Sequence, residues 1–317
     1  MRVTSKAMMI AVASAAWAMT AIAQEYPSRQ VNLVIPFPPG GNTDLMARAL
    51  QPELAKALGQ PVVAINKGGA GGTIGNIEVA SARADGYTVG LTPNNPLTAQ
   101  PHVQKLPYGM DSFKYVCLTY YVPYVVMASP RAPFKTFQEF AAFAKAKPDN
   151  LIYASPGPGT QPHLGILSAL GAIKAEGIHV PFTGAGPMSQ AMLAGTVMAM
   201  SESTAVAKAS NLVVLAAQTK DRIAALPDVP TMRELGFPSE AFSAGGLIVP
   251  AATPDAVVAR LEKACADAVA SDGYKGATEK LNAIARYLPG REFRAMFDAD
   301  STANAEAVKK AGLAAAK

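Results

Sequence analysis

The sequence predicts an α/β fold in two lobes. Short apolar runs of strand length alternate with longer stretches of helical spacing, the pattern of βαβ units built on parallel sheet. The alternation comes in two series with no flexible or low-complexity linker between them, so strands that cross from one lobe to the other are the expected join. The chain has 317 residues, enough for two separate cores even after an export signal is removed.

That signal comes first. Arg2 and Lys6 make a basic start, AMMIAVASAAWAMTAIA is an apolar stretch, and Ala21-Ile22-Ala23 is a small-x-small triplet. Together they read as a secretory signal peptide, residues 1–23, cleaved after Ala23, which sends the chain to the periplasm. The stretch is short for a membrane anchor. No cysteine follows Ala23 to take a lipid, and no later run is apolar enough to span a bilayer. Trp17, the one tryptophan, leaves with the signal.

In the first series VNLVIPF, PVVAIN and YTVGLT read as strands, with helices in LMARALQPELAKAL and GGTIGNIEVASARA. FKYVCLTYYVPYVVMAS is a longer β-rich stretch. The second series follows: helix FKTFQEFAAFAKAKPDN, strand LIYAS, a helix from Thr160, strand GIHVPF, helix GPMSQAMLAG, then strands TVMAMS and LVVLAAQ. A polar, proline-rich passage from Asp221 leads to the strand GGLIVP, and the tail from Pro254 reads as mainly helical. The strand near Tyr124–Ala128 is expected to lead out and the one near Gly245–Val249 to lead back. Lobe 1 is then discontinuous, 24–126 plus 247–317, and lobe 2 is 127–246.

Composition narrows the function. Lys and Arg outnumber Asp and Glu by 28 to 23, and loss of Arg2 and Lys6 brings the net charge from +5 to +3. No basic cluster accompanies that balance, so no nucleic acid is expected as a partner. Cys117 and Cys265 belong to an exported chain, where one disulfide and two separate buried thiols are both open. Their spacing fits neither a metal nor a redox motif.

Four strand ends run through a glycine-rich turn into a helix start: VIPFPPGGNTD, NKGGAGGTIGN, ASPGPGTQPHLG and VPFTGAGPMSQ. One such turn is ordinary βα punctuation. Four of them, at the carboxyl ends of strands where open α/β sheets bind ligands, supply enough N–H donors and helix dipoles to hold carboxylates with little or no arginine. Paired glycines, Gly40 and Gly41, let the backbone come close to a ligand or adopt positive φ. Asn42, Thr43 and Asp44 are N-cap residue types that can also meet it.

Enzyme signatures fit poorly. GGAGGTIG has Ile74 where a dinucleotide fingerprint needs glycine, no turn carries the Lys-Ser/Thr of a phosphate loop, and there is no Gly-x-Ser-x-Gly elbow. His102, His163 and His179 are scattered without ligand spacing. His163, just inside a helix start, can touch a ligand; His179, in a strand, reads as a packed residue. No catalytic residue, cofactor or metal is expected.

Six stretches in order, VIPFPPGGNTDLMAR, NKGGAGGTIGN, ADGYTVGL, IHVPFTGAGP, LPDVPTMRELGFP and VPAATPDAVVARL, resemble the solute-binding proteins of tripartite tricarboxylate transporters, the Bug-type receptors. The resemblance runs from about Tyr26 to the C-terminus. It implies a type II-like periplasmic binding protein with a hinged cleft between two α/β lobes, a monomer with no enzymatic activity. The implied ligand is a small organic carboxylate, aliphatic or aromatic, and the implied partner a membrane permease. A ligand-presenting receptor for a membrane sensor is the alternative, with an exported hydrolase further off.

The resemblance also implies a carboxylate grip, partly through waters, by Phe37 to Asp44 and Thr183 to Pro187, with Ser155 to Thr160 and Gly72 to Gly75 as further walls. The candidate ligand residues are therefore Phe37, Pro39, Gly40, Gly41, Asn42, Thr43 and Asp44 in the first turn, and Gly72 and Thr73 in the second. The third turn gives Ser155, Gly157, Gly159, Thr160 and His163, and the fourth gives Phe182, Thr183 and Gly184. Two departures from the family pattern complete the set. Asn94, beside Asn95, lies in the individual loop TPNNPLTAQP, and Glu202 ends Met200-Ser201-Glu202 where the family reads Met-Phe-Asp. Gln190, in place of an acidic residue, and Gly245, where many relatives carry tryptophan, are further departures. All bear on which acid is bound and leave the fold untouched.

Overall fold

The structure, a computed structural model, describes residues 26–182 and 185–314. The expected signal segment and the candidate residues Thr183 and Gly184 lie outside the described residues.

The chain opens with β1 (Val31–Ile35), α1 (Asn42–Leu58), β2 (Val62–Asn66), α2 (Thr73–Ser81) and β3 (Thr88–Pro93). Two single-turn helices, α3 (Asn95–Thr98) and α4 (Gln100–Val103), occupy the loop after β3. The long strand β4 (Phe113–Ala128) leads to α5 (Phe137–Ala146), β5 (Ile152–Ser155), α6 (Gln161–Ala172), β6 (Ile178–Pro181) and α7 (Ala185–Ala194). Next come β7 (Ala199–Ser203), α8 (Thr204–Ala209) and β8 (Val213–Ala217). The return strand β9 (Phe242–Pro250) precedes α9 (Asp255–Ala270), α10 (Asp272–Lys280), β10 (Ile284–Pro289) and α11 (Gly290–Lys310).

Each series supplies three parallel strands, in order β2-β1-β3 and β6-β5-β7. The sheets are mixed rather than parallel throughout, because β4 and β9 enter them antiparallel. β4 belongs to both sheets. Its first half lies between β9 and β10, its second between β7 and β8. Tyr124 and Ala241 sit where the sheets meet, their backbones joined at 3.2 Å, with Gln218 bonded to both at 2.9 and 3.0 Å.

Register shows where the strands point. Pro93, ending β3, pairs with Gly245, three residues from the start of β9 at the junction. Ser203, ending β7, pairs with Tyr124 at the same junction. The carboxyl ends of all six parallel strands therefore face one another across it, the place where open α/β sheets take ligands.

Both faces of each sheet are covered, which is why strands such as VNLVI are apolar on both sides. Met46, Leu50, Leu54 and Leu58 recur at i+4 along α1 and pack on the first sheet together with α9 and α10. Gly59, with φ +73, ends that helix and returns its N–H to Ala55. Phe293 and Phe297 of α11 cover the opposite face with Val79 of α2. In the second sheet Phe137, Phe140, Ile166 and Leu170 lie on one side and Met188 and Met192 on the other. Of the two states open to the cysteines, the disulfide is found: Cys117–Cys265 joins β4 to α9 with Cα atoms 6.6 Å apart.

The tail holds more than helix. β10, IARYLP, pairs antiparallel with β4, Ile284 opposite Tyr121. Its partly exposed pattern carries no run of apolar residues to announce a strand.

Candidate functional site

Gly41 is the N-cap of α1, at φ −75° and ψ 164°, with no side chain to accept the helix's first N–H groups. The N-cap types Asn42, Thr43 and Asp44 are instead the first three helical residues; Asn42 is exposed and the other two are buried. Asp44 reaches back. Its carboxylate accepts the Gly40 N–H at 2.9 Å, Arg48 Nε at 3.0 Å and Asn66 Nδ2 at 2.8 Å. Asn66 Nδ2 also donates to the Phe37 carbonyl at 3.0 Å. Burial pulls the Asp44 carboxyl upward, but the bonds from Arg48, Asn66 and Gly40 outweigh it and hold it below its ordinary value. Asp44 thus ties the first turn to β2 with its own oxygens engaged inside the protein. Gly40 holds φ +81° in this turn, a conformation suited to glycine.

The turns interlock at Gly72, which has φ +91°. A Cβ there would lie 2.7 Å from Pro96 in α3 and 2.9 Å from the Phe37 ring. First, second and third strand ends therefore touch at one point. Phe37, Pro38, Pro39, Asn66 and the glycines from Gly68 to Gly72 border an open cavity of about 520 Å³. Thr73, at the start of α2, is buried and donates to the Ala70 carbonyl at 3.0 Å. A larger groove of about 680 Å³ lies along α2 and the opposite ends of β1 and β3. There Arg29 and Arg83 pair with Asp85 at 3.3 and 2.9 Å. That groove is remote from the strand ends, so the site is assigned to the turns. The cations beside the turns are already paired: Lys67 with Glu78 at 3.1 Å, and Arg48 with Asp44 at 3.0 Å.

Asn94 is wholly buried. Its amide nitrogen donates to Asp300 at 2.9 Å and to the Phe242 carbonyl at 3.4 Å. Its amide oxygen accepts the Ala244 N–H at 3.4 Å. Asn94 therefore fixes the loop after β3 to β9 and α11. Its neighbour Asn95 crosses between the lobes: Nδ2 donates to the Gly159 carbonyl at 3.0 Å.

The turn after β5 is a closed network. Ser155 is fully buried, and its hydroxyl meets His179 Nε2 at 2.7 Å, the Gly157 carbonyl at 3.1 Å and the Gly157 N–H at 3.2 Å. Thr160 Oγ1 donates to Gly157 O at 2.7 Å, and the Gly159 N–H donates to His163 Nδ1 at 3.1 Å. The His163 and His179 rings stack at 4.0 Å and both lie against Tyr153. Burial and the neighbouring His179 push His163 down to about 4, and burial lowers His179 too. The Ser155–His179 pair was invisible in sequence. With Ser155 buried beneath its turn, the pair holds backbone in place.

Phe182 is half-buried and donates its N–H to the Ser155 carbonyl at 2.9 Å. Glu202 ends the inward-facing part of β7, only 7% exposed, and accepts the Ser203 N–H at 2.7 Å. Burial raises its pKa. The structure thus brings Phe37, Pro39 and Gly72 to the border of one opening, with Gly40, Gly41, Asn42 and Thr73 next to them in the same two turns. Asp44, Asn94, Ser155 and His163 lie under the turns as their supports. Sequence reading missed Asn66 and Asp300, and named Asn95 in its loop without giving it a bond to the Gly159 turn. Only Asn66, a polar residue closing an apolar strand before a glycine turn, carried a local signal.

The chain matches the sequence model of the tripartite tricarboxylate transporter family receptor over residues 46–311. It belongs to that family. Among relatives, Protein BugT of Bordetella pertussis is 36% identical over 72% of this chain and 72% of its own. Among solved structures, MatC (Rpa3494) from Rhodopseudomonas palustris with bound malate is 30% identical, with TM-score 0.75 over 89% of this chain and 100% of that one. Periplasmic binding protein BugD is 32% identical, with TM-score 0.75 over 91% and 99%. R. palustris Rpa4515 with adipate is 26% identical, with TM-score 0.79 over 92% and 99%. This tripartite tricarboxylate transporter receptor is accordingly a two-lobed, Bug-type solute-binding protein of a periplasmic family, and its interlocked turns occupy the junction between its lobes.

Proposed function

We propose that the mature receptor, without enzymatic activity of its own, closes its two lobes on a small carboxylate and delivers it to the permease of a tripartite transporter. In this reading the signal is cleaved after Ala23, the lobes divide as 24–126 plus 247–317 and 127–246, and the protein works as a monomer without nucleic acid. The observation that carries it is the bare N-terminus of α1. Gly41 offers no side-chain acceptor there, and Arg48 and Lys67 are already held by Asp44 and Glu78. Free N–H groups and the helix dipole then meet the ligand's charge. Malate in MatC and adipate in Rpa4515, both small dicarboxylates, support the ligand class.

The test is thermal shift of the mature protein over aliphatic, aromatic and amino mono- and dicarboxylates, followed by calorimetry on each acid that shifts it. Saturation at 100 times Kd adds about 2.7 kcal/mol of stability. Absence of a shift with every acid, or turnover of a bound one, overturns the reading.

A further inference from the structure

We propose that a latch apart from the ligand site ties the two lobes together when the cleft closes: the start of α6 docks on the loop after β3 and on α11, with the Asn95–Gly159 hydrogen bond at its centre. The receptor then closes partly on its own contacts, and its affinity depends on residues that the ligand does not touch. This rests on the carboxylate reading above.

The burial of α6 is the first observation. Its sequence, QPHLGILSALGA, has no lysine, arginine or carboxylate, and every residue from Gln161 to Ile166 is buried. A helix packed on one sheet alone would bury a single stripe. Ile166 and Leu170 face the second sheet. Leu164 belongs instead to a separate apolar cluster with Ala99 in the loop after β3 and Val308 of α11, bordered by Val103 and Leu167. Polar groups flank this cluster. Asn95 Nδ2 donates to the Gly159 carbonyl at 3.0 Å, while Asn95 Oδ1 accepts from Gln100 Nε2 at 3.4 Å, which sets the direction of the amide. Gly159 lies close against the loop: a Cβ there would be 2.9 Å from Val103. The Gln161 side chain turns toward Asp300 of α11, whose carboxylate also accepts from Thr98 at 2.6 Å and Asn94 at 2.9 Å.

The second observation is where this contact stands in the sheet order. The strands run β2-β1-β3-β9-β4-β7-β5-β6, with β9 and β4 at the crossing between the lobes. Gly159 and α6 follow β5, which β7 separates from β4. The contact is therefore off the crossing strands, at carboxyl ends that face one another across the junction. A rotation about the crossing strands that opens the cleft draws such turns apart, and a hydrogen bond of about 3 Å does not survive that separation. One neutral hydrogen bond, an amide turned toward a carboxylate and a small apolar cluster make a contact weak enough to release when ligand must enter. Because the latch lowers the cost of closing and leaves the ligand's own contacts alone, it raises affinity for every acid by the same factor.

Small-angle scattering of the mature protein without ligand is one half of the test. Asn95→Asp keeps the size of the side chain and its bond from Gln100 but sets an oxygen against the Gly159 carbonyl. Val103→Ala thins the apolar half of the contact. Each variant, and the pair more so, should have a larger radius of gyration than unliganded wild type, and the wild-type value once saturated with an acid. Titration calorimetry with each acid that the panel above selects is the other half. Asn95→Ala and Val103→Ala should each weaken all of these acids by a common factor, roughly twofold to tenfold. Losses that differ from acid to acid would mean that Asn95 or Val103 meets the ligand, and overturn the latch. Unchanged scattering and affinity beside a lowered melting temperature would mean that the contact persists in open and closed forms alike, and also overturn it. Failure of wild type to bind any acid of the panel removes the carboxylate reading, and the comparison of unliganded scattering then decides the latch by itself.

Discussion

The imidazole of His163 stacks on that of His179 with ring centroids 4.0 Å apart and planes within 19°, while His163 Nδ1 accepts the N–H of Gly159. Both features require neutral rings. Protonation would set an N–H of His163 against the N–H of Gly159 and place two cations in contact. Because folding lowers the pKa of His163 from 6.5 to about 4, the folded protein binds fewer protons than the unfolded chain between those values. The stabilisation is whole above pH 6.5 and is lost as pH falls toward 4, by an amount on the order of 3 kcal/mol. Melting temperatures from pH 8 to 4.5 should be flat and then fall. His163→Gln, whose amide oxygen can still accept the Gly159 bond, should flatten the slope below pH 6.5. An equal slope in wild type and variant would assign the loss to other groups.

Asp44 holds the first turn without needing to touch a ligand. Its bonds to Gly40, Arg48 and Asn66 fix the backbone that carries Gly40 and Gly41. Asp44→Asn should cost about 2 kcal/mol, reduced from a fully buried pair because Arg48 is half exposed. Affinity should fall as well, since the turn loosens. Its depressed pKa means that the contribution is present at neutral pH and lost on acidification below the ordinary aspartate range. Denaturant melts of wild type and variant at pH 7 and pH 3.5 measure this: the gap between them should narrow at the lower pH.

The disulfide closes a loop of 148 residues from β4 to α9. Chain-entropy reasoning gives about 5 kcal/mol for a loop of this size, an upper figure for a disulfide. Cys117→Ala with Cys265→Ala should therefore lower the melting temperature by several degrees, and reductant should reproduce the loss in wild type alone. A thiol count on unreduced, denatured protein should read zero.

The strand–helix alternation and the four glycine turns were legible because their signals are local. Apolar runs bounded by glycine and proline locate β1, β2, β3 and β5 whatever the rest of the chain does. The supports under the turns were not. The Asn95–Gly159, Asn94–Asp300 and Ser155–His179 bonds join residues 64, 206 and 24 apart, and nothing at either end marks its partner. Gly40 and Gly41 also separate in the structure. The sequence offers close approach or positive φ for both, but only Gly40 has φ above zero, while Gly41 sits in extended geometry open to any residue. That difference makes Gly41 the better probe of the site.

A Cβ on Gly41 would meet the Pro38 carbonyl at 3.5 Å, an ordinary contact, and its φ and ψ are those of a normal N-cap. Gly41→Asp should therefore fold well. Its carboxylate can accept the N–H groups of the first helical turn and gains from the helix dipole. Nearby Asp44 offsets part of that gain, so net stability should stay within about 0.5 kcal/mol of wild type. Binding should behave differently. The same N–H groups would be occupied from within, and a fixed negative charge would face the ligand's carboxylate. Loss of one charge-assisted hydrogen bond is worth about 1.5–3 kcal/mol, so affinity should fall tenfold to a hundredfold before repulsion is added. Gly41→Ala separates crowding from charge: it adds the methyl without the acceptor and should fall between wild type and Gly41→Asp. Lys67→Ala, which removes a cation already paired with Glu78, should change affinity less than fivefold, a difference of under about 1 kcal/mol. Calorimetry with whichever acid the panel selects, beside thermal melts of each variant, decides the matter. Full affinity in Gly41→Asp, or a thousandfold loss in Lys67→Ala with its fold intact, would mean that a side-chain cation and not the start of α1 holds the ligand.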